Sequence, residues 1–460
     1  MPTFTMRTLV NWVAVAIIPI LLAWALPGVG SVARAAAVSE PVASAAESIA
    51  SPEPGWPQWR GPRRDGVCDE TGLRQSWPNE GPRLLWKTTG LGQGYSCPII
   101  SSNRIYITGD EDDRLSLFAL DLEGRQVWKS QNGQSWRGPY PGARACFAYR
   151  HGRLFHMNAH GRVACVDPQA GTELWSVDVS RRFEAKKNTW AFSECLLVDD
   201  RRVIVTPGGS KAFMAALDIN TGETIWTTDP IRLGPADSPA QLRLAEPVGE
   251  VDSAGYASPI LVQSGAARMI IGCSLRHAVA VDARSGRLLW TRPMPTSYSV
   301  IAATPVLADN AVFFTAPDLK TGGFLLEFAP QDPARMTQRW TTLLDTCQGG
   351  LVYRQGSLYG SRYRGAKGWV CLDGRTGKTK YELPSMATGP VLWADGGLYW
   401  LSQEGDMRLL RPGDQGFIEA GRFRLASDRK NDVWTHPVIC NRKLFLRDHD
   451  TLYCYDVAAR

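Results

Sequence analysis

The chain has 460 residues, of which 44% are hydrophobic and 21% are charged, and this composition excludes an intrinsically disordered protein. Its formal net charge of +6 is mild for its size, and no run of lysine or arginine is long enough to mark a nucleic-acid surface. We therefore expect a globular protein that does not bind nucleic acid.

Residues 1–37 predict export. A basic residue precedes an apolar stretch at 9–26, and small residues follow at 33–37, where signal peptidase would cut. At about 18 residues the stretch is also long enough to be an uncleaved membrane anchor, so both alternatives stay open. Residues 38–54, rich in Ala, Ser, Pro and Glu, are predicted to form a flexible linker. We expect the protein in the periplasm or outside the cell, with membrane contact only through an uncleaved leader.

One phrase recurs along residues 55–460, the predicted folded domain: an apolar run, a small residue, any residue, Asp, then Gly and an aromatic residue. The apolar run predicts a strand, Asp turns the chain by binding backbone N–H groups just downstream, and Gly supplies the positive φ that closes the turn. The aromatic residue ends the next strand and is expected to pack against the neighbouring repeat. The copies run from Ala119 to Trp128, Cys165 to Trp175, Ala216 to Trp226, Ala280 to Trp290 and Cys371 to Tyr381, with a truncated copy at 454–456.

Each repeat contains four short predicted strands without a helix between them, which is the pattern of a propeller blade. Eight blades are predicted, beginning near residues 95, 144, 190, 256, 301, 346, 387 and 434. The last blade lacks its fourth strand, whereas Leu84-Leu85-Trp86 matches a fourth strand, Leu288-Leu289-Trp290, without a blade before it. We therefore predict an all-β, monomeric, eight-bladed β-propeller of four-stranded antiparallel blades, with the N-terminal strand completing the C-terminal blade.

The phrase at residues 216–226 resembles the repeat of the pyrroloquinoline-quinone-like (PQQ-like) propellers, and the resemblance covers roughly residues 84–460. Two branches share that repeat: the quinoprotein alcohol dehydrogenases, and non-enzymatic propellers similar to the lipoprotein of the outer-membrane protein assembly machinery. The resemblance thus implies either a quinone-dependent oxidoreductase or a binding module with protein or peptide partners in the cell envelope. Residues 56–62 resemble the lead-in of many secreted bacterial propellers, and no activity is assigned to them.

Ten cysteines invite a disulfide or metal interpretation. Cys97, Cys146 and Cys195 hold one equivalent position at the start of the innermost strand in blades 1 to 3, and His436 holds it in blade 8. These four side chains are candidates for a metal site or a redox pair in the central channel. The competing interpretation is that the position only requires a small residue, since other blades have Ser, Thr or Gly there. Three further cysteines precede the repeat Asp and are predicted to be buried as small hydrophobic residues: Cys165, Cys371 and Cys454.

Quinone-dependent catalysis makes specific demands on a site. PQQ needs basic partners for its carboxylates, a divalent cation such as calcium, an aromatic floor and a carboxylate base. The chain lacks the pair of adjacent cysteines that is common in the dehydrogenase branch, and most of the long blade insertions. Glu194, Glu250, Asp252 and Asp345 precede innermost strands and are candidate ligands or bases, with a solvated loop position as the competing interpretation. We expect no required cofactor, with PQQ and calcium as the alternative, and assign no catalytic residue.

The connections that lead into the innermost strands emerge on one face of a propeller, and here they carry aromatic residues. Aromatic residues around a channel mouth are typical of recognition sites. Trp136 and Tyr140 are expected to be exposed, because they lie in the Pro-Gly-rich loop at 133–142. The residues predicted to bind are Tyr95, Trp136, Arg137, Tyr140, Arg144, Trp190, Glu194, Tyr256, Tyr298, Trp434 and His436, with Lys186, Arg429 and Asp432 as further polar candidates.

Three of these aromatic residues, Tyr95, Tyr256 and Trp434, share one repeat position, so wedging between blades is an alternative role for them. We predict an exported binding or scaffold module at the cell envelope that recognises proteins on its channel face. The alternatives are a PQQ-dependent alcohol dehydrogenase and an extracellular carbohydrate-binding protein, because sugar rings also stack on aromatic side chains.

Overall fold

A computed structural model of the chain describes residues 53–234, 250–296, 300–317, 322–329, 332–348, 350–365, 367–384, 386–425 and 432–459. Within these residues the strands form eight sheets, each built on four antiparallel strands. Seven of these blades have their four strands in sequence order, and the eighth takes its outer strand from the N-terminal part of the chain. The predicted eight-bladed propeller is confirmed. The predicted leader and nearly all of the predicted linker lie outside the described residues. The described residues contain no helix that is long and apolar enough to cross a membrane.

The first strands of neighbouring blades contact each other around the axis. From the axis outward, the strands are Ile99–Ser101, Arg104–Glu111, Arg114–Leu120 and Gln126–Gln134 in blade 1; Ala148–Arg150, Arg153–Met157, Arg162–Val166 and Glu173–Asp178 in blade 2; Leu197–Asp199, Arg202–Val205, Ala215–Asp218 and Thr224–Thr227 in blade 3; and Ile260–Ser264, Ala267–Cys273, His277–Asp282 and Leu288–Pro293 in blade 4.

The second half of the ring repeats this arrangement. Its strands are Val306–Ala308, Ala311–Thr315, Gly323–Ala329 and Asp332–Thr342 in blade 5; Val352–Arg354, Ser357–Ser361, Gly368–Asp373 and Thr379–Pro384 in blade 6; Val391–Ala394, Gly397–Leu401, Asp406–Pro412 and Phe417–Arg424 in blade 7; and Val438–Cys440, Lys443–Asp448, Thr451–Asp456 and Arg83–Thr88 in blade 8. One four-residue helix, Val179–Arg182, follows blade 2.

The ring is closed by its N-terminal strand, as the sequence predicts. Strand Arg83–Thr88 pairs antiparallel with Thr451–Asp456, so that Trp86 lies opposite Cys454. A second connection comes from the buried guanidinium of Arg447, in blade 8, which donates hydrogen bonds to the Thr108 carbonyl of blade 1 at 2.7 Å and to the Gly92 carbonyl at 3.0 Å. The two ends of the chain are therefore held together by both backbone and side-chain hydrogen bonds.

The repeated phrase forms the turn between the third and fourth strands of a blade. In blade 3, Asp218 Oδ1 accepts hydrogen bonds from the backbone N–H groups of Asn220 at 2.8 Å and Thr221 at 3.0 Å. Gly222 has a φ of 71°, and Trp226 then lies opposite Ala216 across the strand pair. The sequence interpretation of this phrase as an Asp-Gly turn is confirmed, and the same Asp contacts occur at Asp121, Asp167, Asp282 and Asp373.

The repeat Trp joins one blade to the next at five of the junctions in the described structure. Trp175 of blade 2 donates from Nε1 to the Ile219 carbonyl of blade 3 at 3.0 Å. Its ring lies so close to Gly222 that a Cβ added there would be 2.7 Å from it. The predicted packing of the repeat aromatic residue between blades is confirmed, and the same Trp-on-Gly contact joins Trp86 to Gly124, Trp128 to Gly171, Trp226 to Gly286 and Trp340 to Gly377.

The lead-in, residues 53–68, lies against the innermost strands instead of extending away from the ring. Residues 67–68 form a short strand, Val67–Cys68, that pairs parallel with the first strand of blade 7. Trp56 exchanges two backbone hydrogen bonds of 2.8 Å with Ile100 of blade 1, and the Pro57 carbonyl accepts one of 2.8 Å from Tyr149 of blade 2. The lead-in, to which the sequence analysis assigned no activity, is thus part of the folded domain and crosses the propeller axis.

Candidate functional site

A cavity of about 250 Å³ opens where the chain enters the innermost strands. Seven aromatic residues and two arginines contribute to its wall. Its lining residues are Trp59, Tyr95, Tyr140, Arg144, Trp190, Ser193, Cys195, Tyr256, Ser258, Val300, Ala302, Pro317, Cys347, Gln348, Tyr363, Arg364 and Trp434. Six of the residues predicted to bind are among them, from blades that are distant in sequence.

Four aromatic rings form a continuous cluster at this cavity. Tyr95 stacks on Trp434 with ring centroids 5.1 Å apart and an angle of 28° between the planes. Tyr140 contacts Trp434 at 4.9 Å and Trp190 at 5.6 Å, and 50% of Tyr140 is exposed, as the sequence predicts. The Arg144 guanidinium donates to the Tyr140 carbonyl at 2.7 Å, which holds the loop in place. Because the rings are positioned by one another, a ligand would find them already ordered.

One wall of the cavity comes from the lead-in. Trp59 lines the cavity, and its Nε1 donates to Thr304 Oγ1 of blade 5 at 2.9 Å. Its ring also packs on His436 of blade 8, with centroids 4.3 Å apart. Sequence reasoning missed Trp59 because it lies outside the repeats. The one signal that points to it is the high density of Trp and Arg in residues 56–64.

Two arginines of the lead-in are buried in the channel. Arg64 donates to three backbone carbonyls at 2.8 to 3.0 Å, those of Cys195, Leu196 and Pro259 in blades 3 and 4. Arg60 donates to the Leu351 carbonyl of blade 6 and to the Asp65 carbonyl, the latter at 2.9 Å. Burial lowers the pKa of each guanidinium to about 10, which still leaves both charged at neutral pH. Two charged guanidinium groups, those of Arg60 and Arg64, therefore occupy the channel beside the cavity.

The predicted metal site is not formed by this geometry. Along the ring, each of three backbone N–H groups donates to the side chain of the equivalent residue in the next blade: Cys97 to Cys146 Sγ at 3.0 Å, Cys146 to Cys195 Sγ at 3.2 Å, and Cys195 to Ser258 Oγ at 2.9 Å. The position thus requires a small side chain that can accept a hydrogen bond, which cysteine and serine both provide. The three cysteines are thus connected in a row from blade to blade by these hydrogen bonds.

His436, the fourth predicted ligand, lies on the other side of the lead-in. Its Nε2 is 3.2 Å from the Gln348 carbonyl, and burial together with the Arg60 charge lowers its pKa to about 3. Within the described ranges, no group of three or more His, Cys, Asp and Glu residues is arranged to hold a metal ion. The four predicted ligands are therefore not brought together in the described structure, because His436 packs against the lead-in beside Arg60.

Trp136 is also placed differently from the prediction. Only 8% of it is exposed, because its loop folds back over the indole ring. Its Nε1 donates to the Pro139 carbonyl at 2.9 Å, and Lys187 lies 5.7 Å from the ring centroid. Gly138 permits this fold, since a Cβ there would be 2.2 Å from the indole. The expected exposure of Trp136 is wrong, and the residue supports the loop that carries Tyr140.

The remaining predicted residues are away from the cavity wall or outside the description. Arg137 is exposed and, like Glu194 and His436, does not line the cavity. The predictions for Tyr298 and Arg429 lie outside the described residues.

Two of the candidate carboxylates have structural partners. Asp252 is buried and contacts Arg276 Nη1 at 3.1 Å and His277 Nδ1 at 2.7 Å. Asp345 accepts three hydrogen bonds of 2.7 to 2.8 Å from successive backbone N–H groups at residues 363–365. The contacts of Asp252 and Asp345 fix loops next to innermost strands. The third candidate, Glu250, is exposed.

Glu194 is a buried carboxyl group that is only partly satisfied by hydrogen bonds. It is 3% exposed, its Oε2 accepts a hydrogen bond of 2.9 Å from the Thr206 N–H, and its Oε1 has no hydrogen-bond partner among the described residues. Burial raises the pKa of Glu194 to about 7, which outweighs the opposite effect of the Arg64 charge. This buried carboxyl group lies next to Cys195, which lines the cavity, but Glu194 itself does not line it.

The cavity meets two of the four demands of PQQ. Aromatic rings are present, and Arg144 and Arg364 provide basic groups. Of the described residues that line the cavity, none is Asp or Glu, so neither a carboxylate base nor a set of anionic oxygens for calcium is found there. The residues present therefore do not fit PQQ with calcium.

Comparisons with known proteins agree with the fold. The family model described as "Outer membrane protein assembly factor BamB" matches residues 118–383, more than half of the chain. The outer membrane protein assembly factor BamB of Burkholderia pseudomallei is 24% identical over 340 residues, which are 71% of this chain and 76% of that protein. The lanthanide-dependent methanol dehydrogenase of Methylacidiphilum fumariolicum is 26% identical over 162 residues, 31% of this chain and 25% of that protein.

Solved structures show the same architecture at low identity. BamB from Moraxella catarrhalis superposes with a TM-score of 0.57 at 15% identity, covering 82% of this chain and 99% of that one. Quinohemoprotein alcohol dehydrogenase from Comamonas testosteroni superposes with a TM-score of 0.61 at 12% identity, covering 90% and 82%. At these identities the likeness shows the propeller fold alone.

Proposed function

This chain belongs to the family of the outer membrane protein assembly factor BamB, and from that membership we propose that it is an exported binding and scaffold module of the cell envelope. Its partners are proteins or peptides, which it recognises at the aromatic cavity mouth. The observation that carries this proposal is the cluster of Tyr95, Tyr140, Trp190 and Trp434 around a cavity whose described lining has no carboxylate. Large, rigid aromatic side chains are the commonest anchors of protein interfaces.

The size of the cavity supports recognition of a side chain rather than of a flat surface. A volume of about 250 Å³ suits one large apolar or aromatic side chain of a partner. Tyr140, half exposed at the edge, and the exposed Arg364 would contact the flanking backbone. Export and the absence of a required cofactor belong to the same proposal.

Site-specific photo-crosslinking tests it. A photoreactive phenylalanine analogue replaces Tyr140 in one protein and Ile418 in the control, because both positions are exposed, at 50% and 62%, and Ile418 lies on the outer strand of blade 7. We expect discrete cross-links to envelope proteins from position 140 that disappear when Trp434→Ala is added. Cross-links of equal yield from both positions, or none from position 140, would contradict the proposal.

The two alternatives have their own assays. Calorimetric titration with PQQ and calcium, followed by a dye-linked alcohol oxidation assay, would reveal a dehydrogenase, and binding with turnover would replace the proposal. Retention on a glycan array that depends on Trp434 would instead favour carbohydrate recognition, because sugar rings stack on the same aromatic faces.

A further inference from the structure

Two cysteines of neighbouring blades are in direct contact beside the axis. All ten cysteines are unlinked and buried in this structure, and the sulfur atoms of Cys97 and Cys146 are 2.8 Å apart. The two residues lie 49 positions apart in the chain and hold equivalent positions in blades 1 and 2. We propose that Cys97 and Cys146 form a disulfide that joins the innermost strands of these blades, whereas Cys195 remains a free thiol at the cavity.

The geometry requires little change for this bond. A disulfide has a sulfur–sulfur length of about 2.05 Å, so the two atoms need to approach by only about 0.8 Å. The Cys97 N–H already donates to Cys146 Sγ at 3.0 Å, which brings the backbone of one strand to the side chain of the other. The two side chains therefore already face each other across the junction between the blades.

The neighbouring thiol has a different environment. Cys195 Sγ accepts a hydrogen bond from the Cys146 N–H at 3.2 Å, and Cys195 also lines the cavity. Its carbonyl binds Arg64 at 2.8 Å, so the backbone of Cys195 is held by the lead-in. The side chain of Cys195 is also hydrogen-bonded to that of Cys146. Cys146 can pair with one partner only, and we assign Cys97 because its sulfur atom lies 2.8 Å away.

The lead-in holds the same junction between blades. Trp56 is hydrogen-bonded to Ile100, three residues after Cys97, and Pro57 to Tyr149, three residues after Cys146. A disulfide would therefore fix the two strands that the lead-in already bridges. By closing a loop of this length it would restrict the unfolded chain and so stabilise the ring.

The bond forms by thiol–disulfide exchange with a disulfide oxidant. The Cys146 thiolate attacks the oxidant and releases one of its thiols; the Cys97 thiolate then attacks the Cys146 sulfur and releases the second. One disulfide bond breaks as another forms, the two cysteines lose two electrons, and both of their protons are released to balance the two thiolates that leave. The exchange takes place during folding, because burial raises the pKa of Cys146 well above its usual range and keeps the folded thiol protonated.

In cells this reaction rests on the proposed export, since disulfides persist in oxidising compartments. The test uses the full chain, refolded with oxidised and reduced glutathione, so a negative result counts against the pairing and not against export. Free thiols are alkylated in denaturant, and the protein is digested with trypsin without reduction. The three cysteines fall in separate tryptic peptides, 88–104, 145–150 and 188–201, so mass spectrometry identifies the pair without ambiguity.

We expect peptide 88–104 linked to 145–150, and peptide 188–201 alkylated. Alkylation of all three peptides, or a link between 145–150 and 188–201, would overturn the proposal. Matched variants give an independent measurement. Reduction should lower the midpoint of urea unfolding for the wild type and for Cys195→Ser, but should leave the midpoint of Cys97→Ser unchanged. Equal responses of the two variants to reduction would contradict the assignment.

Discussion

The buried carboxyl group of Glu194 makes the stability of the propeller depend on pH, and Glu194→Gln tests this dependence. The pKa of Glu194 is raised from an ordinary value of 4.5 to about 7 by burial. Between these two values the folded chain holds a proton that the unfolded chain has lost. Stability therefore falls as the pH rises from about 4.5 to 7 and is constant above that, because both states are then ionised.

The magnitude follows from the shift. A difference of about 2.5 pKa units corresponds to about 3 kcal/mol of stability lost at pH 8, relative to acidic conditions in which both states are protonated. The group is 3% exposed, so solvent screens little of this effect. Glutamine stays neutral and retains an oxygen that can accept the Thr206 N–H. We expect the stability of Glu194→Gln relative to the wild type to increase by about 2 to 3 kcal/mol between pH 5 and pH 8.

Urea unfolding at several pH values measures this difference. A difference in the free energy of unfolding that does not change with pH reports only how well the glutamine amide fits. The change of this difference with pH is therefore the quantity that tests the prediction. Glu404→Gln is the matched control, because Glu404 is exposed and its replacement should leave the pH profile unchanged. Parallel profiles for the wild type and Glu194→Gln would refute the reasoning and would indicate that Arg64 keeps the carboxylate ionised.

Two further substitutions test the packing between blades and the lead-in. Gly222→Ala and Gly152→Ala share a φ near 70°, but only the first places a Cβ 2.7 Å from Trp175. In urea unfolding we expect Gly152→Ala to lower the free energy of unfolding by about 1 kcal/mol, and Gly222→Ala to lower it by about 1 to 3 kcal/mol more. Equal losses for the two variants would count against Trp packing between blades. Arg64→Met should lower the free energy of unfolding by about 3 kcal/mol or more in calorimetry, since three buried carbonyls lose their donor. The matched control is Arg63→Met, which replaces an exposed arginine and should cost about 0.5 kcal/mol or less. Similar costs for the two variants would show that Arg64 does not anchor the lead-in.

The architecture was predictable because its determinants are local and repeated. A turn such as 218–226 is specified by Asp, Gly and Trp within a few residues, and the same spacing recurs in blade after blade. The closing strand was predictable for the same reason, since Leu84-Leu85-Trp86 carries the repeat pattern without its own blade. In a periodic sequence the residues that form these contacts recur in many repeats, so the fold can be predicted even where one copy is incomplete.

The candidate site was predictable only in part. Tyr95, Tyr140, Trp190 and Trp434 were identified because repeat register places their connections on one face. The orientation of a side chain within a loop is not set by register, and so Trp136 was expected to be exposed although its loop covers it. The cysteines were assigned to the right position, but the hydrogen bonds that explain small residues there could not be read from the sequence.

The sequence by itself thus determined the number of blades, the turn chemistry, the ring closure and the face that carries the aromatic residues. Only the tertiary structure decided what occupies the channel. Arg60 donates to Leu351, 291 residues away, and Trp59 to Thr304, 245 residues away. Such contacts belong to no repeat and have no period, so they appear only when the folded ring brings its innermost strands around the lead-in.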